Sequence, residues 1–161
     1  MSETPVNGSG APAEGERVFS LRKLYIKDFS FEAPNSPAFF FDSKQQPEKN
    51  LNICTAHSVL GNGTTEVVMH MTAQSVAGDR TVFLIEIAQA GLFQIGGFSK
   101  EETRAIIGVH CPNALYPYAR EAISSMVQRG GYPPLVLQPM DFAALFAQAS
   151  QDTAAAQASQ A

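Results

Sequence analysis

The spacing of apolar residues changes once along this chain, and that change constrains the fold more than any other feature. Between residues 18 and 93, apolar and polar side chains mostly alternate with a period of two, as they do in half-buried strands. From residue 99 onward, apolar residues recur at a spacing of about 3.5, which is typical of helices. Strands followed by helices predict an α+β fold.

Four strands are predicted, at residues 18–32, 51–60, 65–76 and 81–93. The alternation breaks near Arg22 and Lys23, so the first strand is expected to bend or bulge there. Residues 61–63 (Gly-Asn-Gly) and 77–79 (Ala-Gly-Asp) predict tight turns, because these residue types tolerate positive φ. The last three strands should therefore form an antiparallel meander. The long segment 32–50 must then cross over from the first strand, which completes a four-stranded antiparallel sheet.

A long helix is predicted after the strands. Ser99 and Glu102 have the spacing of a capping box, in which each side chain accepts a hydrogen bond from the other residue's backbone amide. The helix should run toward the glycine pair Gly130 and Gly131, which is a natural stop. Pro112 and Pro117 are expected to kink or restart it, because proline removes a backbone donor and crowds the preceding turn.

This helix is apolar over most of its circumference between residues 106 and 127, so we expect both the sheet and another subunit to cover it. An extended link follows. Asp141 should then cap a short second helix, whose apolar residues Phe142, Leu145 and Phe146 recur at helical spacing.

One folded domain is predicted, over residues 17–147. Residues 1–16 are rich in Gly, Pro, Ser, Ala and Glu, and they cannot bury enough apolar area to offset the entropy of ordering, so we expect a disordered tail. Residues 148–161 are mostly Ala, Gln and Ser. They could extend the second helix by a turn and are otherwise expected to form a flexible tail.

Composition excludes several classes of function. The formal net charge is −4 and Lys and Arg do not cluster, which argues against nucleic acid or an anionic membrane as partner. Only 16% of the residues are charged, compared with about 25% in typical domains, and this favours an oligomer that hides some surface. Neither a membrane-spanning run of about 20 apolar residues nor the pattern of a signal peptide is present, so a cytoplasmic location is expected.

The sequence offers no candidate for catalysis or metal binding. Cys54 and Cys111 lie far apart without a CxxC spacing, so both are expected to be buried, reduced thiols. His70 falls on the polar side of a strand, His110 is expected on the apolar side of the long helix, and His57 completes no metal-ligand pattern. Phosphate-binding loops and nucleophile elbows are also missing. The chain is therefore predicted to be a non-enzyme without a cofactor.

The end of the first strand has two different faces. Asp28, Ser30 and Glu32 project from one face, whereas Phe29 and Phe31 project from the other. One face is thus acidic and polar, and the opposite face is apolar.

Several longer runs resemble one known family. They are KDFSFEAPN at residues 27–35, CPNALYPYARE at 111–121 and MDFAALF at 140–146. Together with shorter matches between residues 19 and 146, they make the chain similar to the SecB family, the cytosolic chaperones that keep preproteins unfolded for export. The resemblance implies a four-stranded sheet with two helices, assembled as a homotetramer that is a dimer of dimers.

The resemblance also implies two binding surfaces. In the family, acidic residues of the exposed sheet face dock the basic, zinc-bearing C-terminal tail of the SecA motor ATPase, so any zinc belongs to the partner. The matching positions here are Asp28, Glu32, Leu84 and Glu86. Without the resemblance, the same residues could simply be a solvated strand face.

The second implied surface is a hydrophobic groove for unfolded preproteins. Its candidates come from the crossover and from the region of the second helix: Phe31, Phe39, Phe40, Phe41, Tyr132, Leu137, Met140, Phe142 and Phe146. Ordinary core packing is the alternative for each of them. The family usually carries a tryptophan in the crossover, and this chain has none.

A second function stays open beside export. A general holdase of the same family, including relatives associated with toxin–antitoxin systems, would keep the groove without the acidic docking face. The presence of Asp28, Glu32 and Glu86 favours delivery to SecA.

Overall fold

Four long strands form one antiparallel sheet, as predicted. The computed structural model describes residues 15–42 and 44–160, and the order of strands across its sheet is β1-β4-β3-β2. The strands are β1 (Val18–Glu32), β2 (Glu48–Gly61), β3 (Thr64–Ala77) and β4 (Arg80–Gly96). The bounds of β1 are those predicted. The other three strands extend beyond the predicted ends. At the two tight turns, each turn uses only two residues and pairing continues up to it. At the remaining ends, pairing extends back to Glu48 in β2 and on to Gly96 in β4.

The segment after β1 crosses the sheet from one edge to the other. β1 and β2 are the two edge strands, which confirms the expected crossover. Within the crossover, Ala38–Phe41 forms a turn of 3-10 helix. The Asn35 side-chain amide donates to the Thr81 carbonyl at 2.8 Å, and Arg80 pairs with Asp42 at 2.9 Å. Both contacts attach the crossover to the start of β4.

Two bulges interrupt the pairing of β1 with β4. The first lies between Leu21 and Lys23, where a bulge was expected. The second lies between Ile26 and Asp28, so that Lys27 is an extra residue without a partner on β4. Because of this second bulge, Tyr25 and Asp28 project from the same face of the sheet although they are three residues apart.

The long helix consists of two α-helical parts joined by a π-helical turn. They are α1 (Lys100–Ala105), the turn Ile106–His110 and α2 (Cys111–Arg129). The capping box is confirmed: Glu102 N donates to Ser99 Oγ at 3.1 Å, and Ser99 N donates to Glu102 Oε2 at 2.9 Å. Pro112 lies in the first turn of α2, as the expected restart requires, and Pro117 is accommodated inside the helix.

The prediction for His110 was wrong. We expected it on the apolar side of the long helix, but its side chain is exposed and stands 6.1 Å from the ring of Phe19, centroid to centroid. The π-helical turn is the reason, because the wider turn shifts the residues out of the 3.6-residue periodicity from which the face was predicted.

The second helix, α3 (Phe142–Ala158), is longer than predicted. Asp141 caps it as expected, accepting from Ala144 N at 3.0 Å. The helix then continues for 17 residues, because its Ala- and Gln-rich second half has high helix propensity. The flexible character of residues 148–161 stays a prediction. Of the two predicted tails, residues 1–14 and residue 161 lie outside the described residues.

The helices pack on one face of the sheet, which we call the inner face; the opposite one is the outer face. The buried side chains of β3 and β4 meet those of α2 in one hydrophobic core. Its largest fully buried members are Met69, Met71, Ile85, Phe93, Leu115 and Ile123. The predicted alternation of β3 is confirmed, since Val67, Met69, Met71 and Ala73 are all buried there.

The prediction that both cysteines are buried was correct for Cys111 and wrong for Cys54. Cys111 belongs to the core at the start of α2. Cys54 is exposed because it lies on β2, which is an edge strand among the described residues and whose side chains are nearly all exposed.

This difference predicts the reactivity of the two thiols. Burial raises the pKa of Cys111 to about 12, so its thiolate is scarce at pH 8 and reagents cannot reach it. We expect a thiol-specific chromogenic reagent at pH 8 to modify one cysteine of the native protein rapidly and the second only after denaturation. Cys54→Ser should abolish the rapid phase. Two rapid thiols, or none, would contradict the described positions.

Candidate binding surfaces

The four residues predicted to dock a basic partner lie together on the outer face. Ser30 pairs with Glu86, Glu32 pairs with Leu84, and Asp28 pairs with Ala88, so their side chains share one side of the β1–β4 pair. Asp28, Glu32 and Glu86 are exposed, whereas Leu84 is half-buried among them. We call these four residues the acidic surface.

The carboxylates of the acidic surface are not neutralised within the described part of the chain. The ion pairs found there are Arg17–Glu102, Lys27–Glu66 and Arg80–Asp42, and none of them includes Asp28, Glu32 or Glu86. Three unpaired carboxylates beside one apolar side chain attract a basic segment and offer it a hydrophobic contact.

A polar cluster that the sequence did not reveal adjoins this surface. The Tyr25 hydroxyl donates a hydrogen bond to the Glu66 carboxylate, and Lys27 Nζ donates to both oxygens of that carboxylate at 3.1 and 3.3 Å. Burial and the neighbouring carboxylate raise the pKa of Tyr25 to about 12. The hydrogen bond from Tyr25, followed by that from Lys27, lowers the pKa of Glu66.

Two members of this cluster, Lys27 and Glu66, line a shallow cavity in the outer face. The cavity has a volume of about 370 Å³ and a floor of small or short side chains, including Ala56, Val68 and Ala88. Lys27 and Asp28 both line it. Sequence analysis missed Glu66 because β4 separates β1 from β3, and that strand order had to be known before Glu66 could be placed near Lys27.

Aromatic rings of the crossover pack on the end of the long helix, on the inner side of the sheet. The Tyr132 ring lies 5.2 Å from Phe40, 5.4 Å from Phe83 and 6.3 Å from Phe39, between centroids. Phe31 stacks on Phe83 at 6.1 Å. We call these five residues the crossover cluster.

Glycine makes the crossover cluster possible. A Cβ atom on Gly130 would lie 2.3 Å from Phe31 Cζ, so any larger residue would displace that ring. Gly131 has a φ of +88° and faces the Phe40 ring. The glycine pair that the sequence identified only as the end of a helix therefore also leaves room for two aromatic side chains.

A second group of apolar residues packs α3 against α2 and the π-helical turn. Phe142 meets Tyr116 edge-on at 5.6 Å between ring centroids. The Phe146 ring covers Gly108, where a Cβ atom would lie 2.3 Å from Phe146 Cδ2. A cavity of about 290 Å³, lined among others by Ile53, lies beside this ring. We call Tyr116, Phe142 and Phe146 the α3 cluster.

Six of the nine predicted groove residues belong to these two clusters, whereas Phe41, Leu137 and Met140 belong to neither. The nine residues differ widely in exposure. Tyr132, Leu137 and Phe142 are core residues, with 8%, 8% and 5% of their surface exposed. Phe40 and Phe41 are exposed by 49% and 85%. The remaining candidates are half-buried: Phe31, Phe39, Met140 and Phe146.

The two clusters lie near opposite ends of the long helix. Gly108 and Gly130 are 22 positions apart, which corresponds to about 33 Å of helix at 1.5 Å per residue. A single short groove in one protomer therefore does not include all nine candidates, and their role in binding a client stays a prediction.

Among the described residues, no three His, Cys, Asp or Glu side chains are grouped in a way that could hold a metal ion. Within the same part of the chain, none of the helices has the length and apolar character needed to cross a membrane.

Comparison with known proteins identifies the family. A family model described as SecB, preprotein translocase subunit SecB, matches residues 12–153. The protein-export protein SecB of Nitrosococcus oceani is 38% identical over 161 residues, which cover 99% of this chain and 98% of that protein. The protein of the same name from Methylococcus capsulatus is 45% identical over 136 residues, covering 84% and 87%.

A solved structure shares the fold. A SecB-like chaperone of Mycobacterium tuberculosis, solved in complex with a ChAD peptide from the HigA1 antitoxin, matches with a TM-score of 0.63 and 20% identity. The match covers 76% of this chain and 90% of that one. The family model and the near full-length relatives agree with this fold, and the chain belongs to the SecB family of protein-export chaperones.

Proposed function

We propose that this chaperone holds unfolded preproteins in the bacterial cytoplasm and delivers them to the SecA motor ATPase. The observation that supports this function best is the separation of two surfaces. In the described part of the chain, the carboxylates of the acidic surface have no ion-pair partner and lie on the outer face, while the crossover cluster packs on the inner side of the same sheet. A motor and a client could therefore bind at the same time without competing for one site.

Client binding rests on the exposed aromatic side chains of the crossover. Phe40 and Phe41 expose apolar surface next to an ordered cluster, so they can bury side chains of an unfolded chain. Burying one large apolar side chain gains about 1.5–3 kcal/mol, whereas ordering each client residue costs about 1–2 kcal/mol of backbone entropy. One contact is therefore weak, and useful affinity requires several contacts by the same client.

Assembly would supply those several contacts. We propose a homotetramer, built as a dimer of dimers, in which copies of the crossover cluster act together. The low charge content supports assembly, and so does the exposure of Tyr118 by 52% on the side of α2 that faces away from the sheet core. Light scattering of the purified protein measures this directly, with four times the chain mass expected.

Docking of SecA is proposed at Asp28, Glu32, Leu84 and Glu86. A basic SecA tail carrying its own zinc would meet three carboxylates around one apolar side chain. The alternative, a general holdase without SecA targeting, requires only the aromatic surface. Binding of an isolated, zinc-loaded SecA tail peptide separates the two functions, because only the first predicts it.

Reversing one charge of the acidic surface should weaken docking selectively. We expect Glu86→Lys to lower the affinity for the tail peptide about five- to tenfold in low salt, because an attractive charge becomes repulsive. Isothermal titration calorimetry measures the affinity. Glu16→Lys is the matched control, since Glu16 is exposed next to the opposite end of β1.

Salt provides a second readout of the same contact. Screening acts over about 10 Å at 0.1 M salt, so affinity of the unaltered protein should fall as salt rises, and the loss caused by Glu86→Lys should shrink. Equal weakening by both substitutions would show that the effect is not specific to the acidic surface.

Truncation of an exposed aromatic residue should impair the holding of clients without unfolding the chaperone. We expect Phe41→Ala to change the free energy of unfolding by no more than about 0.5 kcal/mol, because the side chain is 85% exposed. The same variant should suppress aggregation of a slowly folding preprotein less well than the unaltered protein does.

Phe142→Ala provides the contrasting core variant. It removes a ring that is 5% exposed, and we expect a loss of about 3–5 kcal/mol of stability, measured by denaturant unfolding. If Phe41→Ala suppresses aggregation as well as the unaltered protein does, the crossover is not part of the client-binding surface.

A further inference from the structure

Lys27 is placed where it could neutralise the acidic surface. It precedes Asp28 in the chain, and both residues line the same cavity of the outer face. The bulge makes Lys27 an extra residue of β1, so its side chain is not held by regular pairing with β4. An ammonium group at this position could reach toward Asp28 or away from it.

Glu66 holds this ammonium group. Its two oxygens accept from Lys27 Nζ at 3.1 and 3.3 Å, and the side chain of Glu66 is only 17% exposed, compared with 45% for Lys27. Tyr25 donates to the same carboxylate from the other side of the bulge and fixes its orientation. The partly enclosed carboxylate is therefore a prepared counter-ion for Lys27.

We propose that Glu66, oriented by Tyr25, keeps the acidic surface selective for basic partners by binding Lys27 and cancelling its charge. Glu66 is a positioning residue in this role and does not itself contact the partner. The inference rests on the proposed docking of the SecA tail and adds to it the residues that determine the charge of the docking surface.

Charge arithmetic supports this role. With Glu66 ionised, Lys27 and Glu66 together contribute no net charge, and Asp28, Glu32 and Glu86 remain negative. Without the Glu66 carboxylate, the ammonium of Lys27 would be the unpaired charge beside Asp28. It would then pair with Asp28 or repel an incoming basic segment, and both outcomes weaken docking.

Three single substitutions, each at one member of the polar cluster, test the proposal. Glu66→Gln keeps the shape of the side chain and removes its charge, so we expect the affinity for a zinc-loaded basic tail peptide to fall about three- to fivefold at low salt. Lys27→Met should bind the peptide at least as tightly as the unaltered protein does. Tyr25→Phe, which removes only the orienting hydroxyl, should cause a smaller loss than Glu66→Gln.

The decisive variant combines the two substitutions. Lys27→Met with Glu66→Gln removes both charges, and we expect its affinity to return to within about twofold of the unaltered protein, because no unpaired ammonium remains. A merely structural role of Glu66 would leave the double variant as weak as the single one. Thermal unfolding and aggregation suppression, both expected to change little, verify that each variant is folded.

The outcomes are distinguishable from failure of docking itself. If Glu86→Lys weakens binding and Glu66→Gln does not, docking stands and the role of Glu66 is overturned. If the double variant stays as weak as Glu66→Gln, Glu66 contacts the peptide or supports the sheet, and the inference is again overturned. If the unaltered protein does not bind the tail peptide, the proposed docking is overturned, and the inference about Glu66 is overturned with it.

Discussion

Burial of one face of the sheet under the long helix is the interaction on which the rest of the structure depends. The inner-face side chains of β3 and β4 are almost fully buried against α2, and each large apolar residue there contributes about 1.5–3 kcal/mol. Because the described helices cover only the inner face, stability is concentrated on one side. The outer face carries polar residues around a small apolar cluster of Val68, Ala88 and Ala90, and Asp28, Glu32 and Glu86 can stand there with little effect on the main core.

Small departures from regular geometry position the functional residues. The bulge at Lys27 turns Tyr25 and Asp28 to the same face, which brings a lysine, a tyrosine and Glu66 together beside the acidic surface. Gly130 and Gly108 do the same for the aromatic residues, since each leaves space that a phenylalanine ring occupies. An extra residue in the strand, or the missing side chain of a glycine, thus decides where a large side chain can lie.

Sequence analysis predicted the parts of the fold that depend on local chemistry. The bounds of β1, the capping box at Ser99 and the alternation of β3 follow from residue types a few positions apart, and the structure confirms them. The resemblance to the family also predicted that the residues of the acidic surface share one face of the sheet. Features that depend on strand order or helix type were missed, namely the exposure of Cys54 on an edge strand, the exposure of His110 in a π-helical turn and the contact of Glu66 with Lys27.

The crossover between the two edge strands also has a consequence for biosynthesis. β1 leaves the ribosome before the other described strands, yet it pairs with β4, whose last paired residue, Gly96, aligns with Val18. The meander of β2, β3 and β4 can close through short hairpins. In contrast, β1 must wait for β4, which is completed about 3–13 seconds later at roughly 5–20 residues per second. During that interval Phe29 and Phe31 of β1 lack the neighbouring strand β4 and stay exposed. For part of its own synthesis, this chaperone therefore carries an unpaired strand with exposed apolar side chains.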